Sequence, residues 1–477
     1  MTAGQGVDHE VHEINSASDL TLDLVSAVAD GAEVRLGDAA LRRIAERRKQ
    51  FLQFVDQNSD QRLYGVTTRH HTAAKTVMGE VERAEYAARL PSTPAAFGDP
   101  LPERLTRGIL LARLADVLNG TACLRADTAV RLIEMLNEDL PPVPGRGHGE
   151  PGDIIALSHL FRADFDGTLE LGEGMAMING SPVAAAVLCD VALSGRPRLG
   201  ASELVLALSA AAVGAPDAHY SEALETVWND EFQASGVRHL RELLAGRNPE
   251  DLRAYQAPVS FRSAPRVLGW LVRAQSWVEE CAGTALAASS NNPIFVGPEV
   301  APPSGALLSN GGYHNALAAP AVDVLVRAWA DLCQIVSAQL NQLVELPDGL
   351  RVLESEPQIS LLYMSSAGCA EEARTAATPT FTSIAAGGQT DTGTQDLAAW
   401  AKAESVGLAL DQNLALLGVV AVHTLARQDK AVPPRLRRLH DQVLRDFPLG
   451  APPVRYKQLL EDVQSTLRST SSASQGA

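Results

Sequence analysis

Residues 140–159 read Leu-Pro-Pro-Val-Pro-Gly-Arg-Gly-His-Gly-Glu-Pro-Gly-Asp-Ile-Ile-Ala-Leu-Ser-His. The Pro- and Gly-rich first half cannot propagate a helix. The second half can: Pro151 and Asp153 suit the first turn of a helix running into Ile154–Phe161. Glu150 stands at the junction. A helix N-terminus favours its anionic form, whereas burial favours the neutral one, and the sequence does not decide between them.

Outward from this loop, the second half of the chain carries strong helical periodicity. Over 322–345, Leu325, Trp329, Leu332, Val336, Leu340 and Leu343 recur at three- or four-residue steps and make one apolar stripe. Over 404–427, Val406, Leu410, Leu414, Leu417 and Ala421 do the same. Residues 184–213 and 266–288 are Ala/Leu-rich and helix-compatible. Stripes of this length predict helices packed side by side in a bundle. In the first half, shorter helical runs (38–56, 103–118, 125–137) alternate with polar, Gly- and Pro-rich loops, and those loops hold the chemically suggestive segments.

Composition agrees with a mainly α fold. Hydrophobic residues make up 46% of the 477 but aromatics only 5%, so Ala, Leu and Val do the packing. Small side chains let helices approach closely, and the chain is long enough to bury a large core without disulfides. Cysteines 123, 189, 281, 333 and 369 are scattered and form no CxxC pair, which predicts buried free thiols. The net charge of −17 opposes nucleic-acid binding, which needs a basic face. No signal-like N-terminus and no uncharged apolar run of membrane-spanning length are visible, so the expectation is a cytoplasmic protein without a membrane partner. No HExxH, CxxC or carboxylate–His cluster has ligand spacing, and no metal is expected.

Several loops carry a further pattern. Leu-Tyr-Gly-Val-Thr-Thr spans 63–68, Arg-Leu-Pro-Ser 89–92, and Glu-Gly-Met-Ala-Met-Ile-Asn-Gly 173–180. Tyr-Gln-Ala-Pro-Val-Ser-Phe-Arg spans 255–262, and Ser-Asn-Asn-Pro 290–293. Ser-Asn-Gly-Gly-Tyr-His covers 309–314 and Gly-Gln-Thr-Asp-Thr 388–392. In order and spacing, from about residue 15 to 440, these resemble the signatures of the histidine and phenylalanine ammonia-lyases and related aminomutases. The resemblance implies a loop-rich N-terminal domain on a long-helix bundle, divided as a loose tail 1–15, an N-terminal domain 16–190, a helical bundle 191–445, and a C-terminal helix with a disordered tail over 446–477. It also implies a homotetramer whose pockets mix loops from several subunits.

In that family the 150–152 segment supplies an electrophile, a methylidene-imidazolone ring formed from three consecutive residues after a serine loses its hydroxyl. Pro151 has no hydroxyl to lose, and its nitrogen is already in a ring. The expectation is a member without that prosthetic group and without other cofactors. Other family positions differ too: Val259 replaces a second catalytic tyrosine, Thr93 a histidine, Gly312 an asparagine and Thr390 a glutamate or glutamine. What the resemblance keeps is Tyr64 as catalytic base, Asn179 and Arg262 as carboxylate holders, Gln256 beside the lost ring, and Tyr313 near the pocket. A guanidinium fork suits a carboxylate.

Arg69-His70-His71 stands where the family has a flexible Gly-Phe-Gly lid. His70 and His71 either relay protons near neutral pH or stand exposed in a loop. Glu150 is either an acid/base partner of Tyr64 or a solvated loop carboxylate. Asp153 and His159 read as structural, a helix-start carboxylate and a satisfied buried imidazole. The expected function is acid/base elimination, addition, cyclisation or isomerisation of an activated small-molecule or carrier-derived intermediate in biosynthesis. The alternative is a catalytically inactive homologue serving as a binding or regulatory subunit.

Overall fold

The computed structural model describes residues 11–70, 73–345, 359–428 and 430–475. Helices dominate, as the composition predicts. The long ones are Pro182–Val213, Val259–Ala287, Ala318–Glu345 and Asp396–Arg427, and the shorter Asp38–Gln57, Glu103–Leu118, Ala126–Leu136 and Ile154–Phe165 fall where the first-half periodicity places them. Among the described residues the strands are short and pair in twos: Val11–Ile14 with Glu33–Leu36 in parallel, and three antiparallel pairs, Phe97–Pro100 with Pro144–Arg146, Ile294–Val296 with Ala306–Leu308, and Ser383–Gly387 with Thr390–Gly393.

The chain forms two compact units. The first comprises 1–191, 279–320 and 380–400; the second comprises 192–278, 321–379 and 401–477. These units are discontinuous along the chain, whereas the sequence reading drew continuous domains. Residues 279–320 and 380–400 are hairpins and helix ends that return to the loop-rich unit, a feature that periodicity along the chain does not encode.

In the second unit, every stripe residue singled out above is buried. Arg198 is held among these apolar helices by a bidentate pair with Asp411, at 3.1 and 3.2 Å, and its guanidinium lies 4.9 Å from the Trp329 ring centre. Gly407 makes the room: a Cβ there would lie 2.5 Å from the Arg198 guanidinium carbon. The C-terminal segment differs from expectation. Tyr456–Gln475 is one helix, so the Ser/Thr-rich stretch from 466 is helical as far as 475. Leu459, Val463 and Leu467 recur on one buried face, and that packing overrides a composition that by itself favours no structure.

Two helical segments, Glu173–Val213 (the short helix Glu173–Ile178 followed by Pro182–Val213) and Asp396–Arg427, contain windows long and apolar enough to cross a membrane, yet 89% and 83% of those windows are buried inside the protein. Neither holds an uncharged apolar run of about 18 residues, because Asp190 and Glu203 interrupt the first and Asp411 the second. Both are core helices. All five cysteines are free; Cys123, Cys189, Cys281 and Cys333 are buried.

In the first unit, Phe51, Phe54, Val55, Leu63, Val66, Cys123 and Phe295 form one apolar cluster. Phe295 sits 5.6 Å from both Phe51 and Phe54, edge-on to the former. This cluster grips the loop at 63–66 from beneath and sets the stage for the residue between its two anchors, Tyr64.

Candidate functional site

Tyr64 is fixed by its neighbours. The Leu63 N–H donates to Thr67 Oγ1 at 2.8 Å, and that hydroxyl donates to Gln61 O at 2.5 Å. The Leu63 carbonyl in turn accepts the N–H groups of Val66, Thr67 and Thr68. Gly65 has φ +67°, and a Cβ there would lie 2.3 Å from Met175 Cγ. The Tyr-Gly-Val-Thr-Thr run is therefore a knotted turn whose glycine is required twice, for its backbone sign and for its contact.

Asn179 closes the short helix Glu173–Ile178, its N–H donating to Met175 O at 3.1 Å. Its carbonyl accepts from Arg113, a fully buried arginine paired at 2.9 Å with Asp116. Asp116 also accepts the backbone N–H groups of Ser290 (2.6 Å) and Asn291 (3.0 Å). One ion pair thus fixes both the Asn179 segment and the 290–292 loop, and the Ser181 N–H to Ser290 Oγ bond of 3.0 Å ties them together. Asn292 Oδ1 accepts from Asn310 N at 3.0 Å, which extends the frame to the loop carrying Tyr313. Glu173 is an internal strut: fully buried, it accepts from Arg125 N, Arg125 Nε, Thr128 Oγ1 and Glu170 N.

These elements enclose a cavity of about 530 Å³ within the first unit. Polar groups reach it from Tyr64, His70, Ser92, Asn179, Asn292, Ser309, Tyr313, Gln389 and Thr390, and Pro91, Pro151, Ile154, Met175 and Ile178 supply much of the apolar wall. Among the described residues, no Lys, Arg, Asp or Glu lines it. Pro151 is buried at its edge, and Gly152, with φ +85°, packs so closely on Asn179 that a Cβ would lie 2.5 Å from Asn179 Oδ1. That Oδ1 is buried without a hydrogen-bond partner among the described residues, leaving one acceptor for a ligand's N–H or O–H.

The structure thus brings Tyr64, His70, Asn179, Tyr313 and Thr390 together around one cavity. His70 Nδ1 lies 2.9 Å from the Tyr86 hydroxyl and its ring stacks on Tyr86, with centres 6.0 Å apart. Burial pushes the Tyr86 phenol up, and neighbouring Tyr64 adds to the rise, so Tyr86 keeps its proton. His71 lies outside the described residues. Thr93 is exposed and its neighbour Ser92 lines the wall instead.

Other expected residues lie elsewhere. Gln256 and Arg262 belong to the second unit and do not line this cavity; Gln256 is exposed, and Arg262 Nε donates to Ala257 O at 3.1 Å. Glu150 does not line it either. Its Oε1 accepts the Ile155 N–H at 2.8 Å and its Oε2 the Gly149 N–H at 2.9 Å, so its carboxylate is occupied by backbone donors instead of pointing toward Tyr64. Glu150, not Asp153, caps the Ile154–Phe165 helix. Asp153, with φ +54°, sends its carboxylate to the head of the next long helix, accepting Val183 N–H at 2.8 Å. His159 Nε2 accepts the Ala96 N–H at 3.1 Å, so the imidazole is satisfied as expected, but it is half-buried instead of buried.

Sequence reasoning missed Asp396. It opens the helix Asp396–Arg427, is 4% exposed, and burial pushes its carboxyl up to about 6. An acidic residue directly before a long apolar stripe was its only signal.

The sequence matches the family model described as aromatic amino acid lyase over residues 20–163 and 166–445. Histidine ammonia-lyase of Caldanaerobacter subterraneus subsp. tengcongensis is 26% identical over 354 residues, covering 68% of each chain. Among solved structures, histidine ammonia-lyase from Trypanosoma cruzi superposes with a TM-score of 0.83 at 21% identity, covering 96% of this chain and 94% of that one. Pantoea agglomerans phenylalanine aminomutase superposes with a TM-score of 0.84 at 16% identity, covering 96% and 99%. At these identities the superpositions establish the fold.

Proposed function

The chain belongs to the aromatic amino acid lyase family, and we propose that it is a lyase-type enzyme working without the family's methylidene-imidazolone group. The single observation behind this reading is Pro151 at the cavity wall in the middle of the Glu150-Pro151-Gly152 turn. Ring formation needs a side-chain hydroxyl and a free backbone N–H at that residue, and proline offers neither. The residues present do not fit the group, so no step runs through it.

Without an electrophile, the cavity holds proton carriers and neutral hydrogen-bonding groups. A positioned acid or base contributes typically about 10²–10⁴-fold. That is too little to expel ammonia from an unactivated amino acid. The substrate is therefore activated beforehand, with the proton to be removed next to a carbonyl, imine or conjugated system. Tyr64 removes that proton, and His70, across the same cavity, returns one to the leaving group or to the neighbouring carbon. Glu150 serves indirectly, by holding the turn that forms the wall. Elimination, addition, cyclisation and double-bond isomerisation of a small-molecule or carrier-derived intermediate all satisfy this arrangement, and biosynthesis of a secondary metabolite is the setting that fits it.

Among the described residues, no Lys or Arg of the first unit lines this cavity to meet a substrate carboxylate. We propose that Arg262 and Gln256 supply that contact in a homotetramer, each reaching the cavity of another copy. Burying an unpaired carboxylate is costly enough to make such a partner necessary.

The test is twofold. The tryptic peptide 147–162 should carry the mass of its unmodified residues, and loss of two waters from it would end the proposal. Purified protein incubated with His, Phe or Tyr should release no ammonia; release would restore ordinary ammonia-lyase chemistry.

A further inference from the structure

Pro151 and Ile154 line the large cavity, whereas Glu150 and Asp153 line a second one of about 20 Å³. That volume is on the order of one water molecule. Three segments meet around it: the turn bearing His148, Glu150 and Asp153, the helix head at Val183, and the helix head at Asp396. His148 Nε2 donates to Pro144 O at 2.7 Å, which assigns the ring proton to that nitrogen, since a carbonyl only accepts. His148 Nδ1 then lies 3.9 Å from Glu150 Oε1, buried and without a hydrogen-bond partner among the described residues. Asp396 Oδ1 is likewise buried and without a partner.

The antiparallel hairpin Ser383–Gly393 immediately precedes Asp396 and rests on the same turn. Ser383 Oγ donates to Gly149 O at 3.3 Å, and a Cβ at Gly393 would lie 3.1 Å from the carbonyl oxygens of Gly149 and Glu150. The hairpin carries Gln389 and Thr390 into the large cavity, and the turn carries Pro151 and Ile154 into it.

We propose that the small cavity is a hydration site in which one water, donating to Asp396 Oδ1 and accepting from protonated His148 Nδ1–H, ties the turn to the hairpin, and that this tie loosens as pH rises. The inference stands apart from the chemistry proposed above, since it concerns how two walls of the cavity are held. Charge accounts for the pH sense. Burial opposes a charge on His148, but Glu150 and the Pro144 carbonyl outweigh it and raise its pKa. Burial, then the neighbouring Asp396, hold the Asp153 carboxyl well above the usual range, with the Val183 N–H and Arg113 opposing. Asp396 is pushed up to about 6. His159 adds like charge beside His148 when protonated. All three raised groups prefer the proton in the folded protein, so each contribution is complete only below its unfolded value, about 3.9 for the two carboxyls and about 6.5 for His148, and is lost as pH climbs through the folded one. Above that range Glu150, Asp153 and Asp396 face one another as anions, with Arg113 the cation acting on Asp153.

Hydrogen–deuterium exchange by mass spectrometry on the full chain tests this, with rates corrected for the intrinsic pH dependence of exchange. Between about pH 5.5 and about pH 8, protection over 147–155 and 383–396 should fall together, by roughly tenfold. In Asp396→Asn, neutral at every pH, the fall should shrink below about threefold. In His148→Gln, which keeps the donor to Pro144 O but carries no charge, protection should already be low in mild acid. Protection independent of pH, an equal fall in wild type and Asp396→Asn, or a dry cavity in a high-resolution crystal structure at acid pH would each overturn the proposal. Should Asp396→Asn fail to fold, wild type and His148→Gln decide the question.

Discussion

Glu150 Oε1 accepts the backbone N–H of Ile155 at 2.8 Å, so the helix Ile154–Phe165 is capped by a side chain lying outside it. Removing such a cap costs about 0.5–2 kcal/mol. Glu150→Ala should lower unfolding stability by that amount in a urea titration, and Glu150→Gln, which keeps one acceptor oxygen, should recover roughly half of it. Turnover should fall only in step with the loosened turn. A hundredfold loss of turnover with unchanged stability would return Glu150 to a proton-transfer role.

Tyr64→Phe keeps the ring at a position anchored in the chain by the buried Leu63 and Val66 but removes the hydroxyl. We expect kcat for the native substrate to fall by about 10²–10⁴, with the unfolding midpoint unchanged. If product formation survives both Tyr64→Phe and Arg262→Ala but not deletion of the protein, the chain acts as a binding or regulatory subunit and the catalytic reading is wrong.

Gly65→Ala places a side chain at φ +67° and against Met175. The backbone strain alone should cost about 1–3 kcal/mol. Adding Met175→Ala should relieve the clash but not the strain, so thermal unfolding of the double variant should recover part of the loss relative to Gly65→Ala. Full recovery would show that contact, not backbone sign, dictates glycine here.

Asp116→Ala leaves the fully buried Arg113 without its partner and orphans the Ser290 and Asn291 N–H groups. Breaking a buried pair by removing one member costs about 3–5 kcal/mol. Arg113→Met combined with Asp116→Leu should be closer to wild type than Asp116→Ala. Chemical denaturation measures both.

The fold was legible because its signal is periodic. The apolar spacing of Leu325 through Leu343 and of Val406 through Ala421 marks helices whose cores prove to be those same side chains. The cavity was legible in part, because Tyr64, Asn179 and Tyr313 lie in short motifs whose glycines and polar residues stand out from a helical background. What escaped notice depends on directions in space. Nothing local to Glu150 says that its oxygens turn back to the Gly149 and Ile155 N–H groups, or that Asp153 reaches thirty positions ahead to Val183. Asp396 escaped because its surroundings come from segments more than two hundred residues distant. Gln256 and Arg262 fall in a different unit from Tyr64, and the motif order that grouped them with it does not say which side chains line its cavity.

Asp153 immediately precedes one helix and fastens the start of another, with a left-handed backbone that few residues tolerate. Anyone seeking to retune this scaffold by directed evolution should leave 152 and 153 invariant and place diversity at Met175, Ile178 and Thr390. Those wall positions can change shape without unlatching two helices at once.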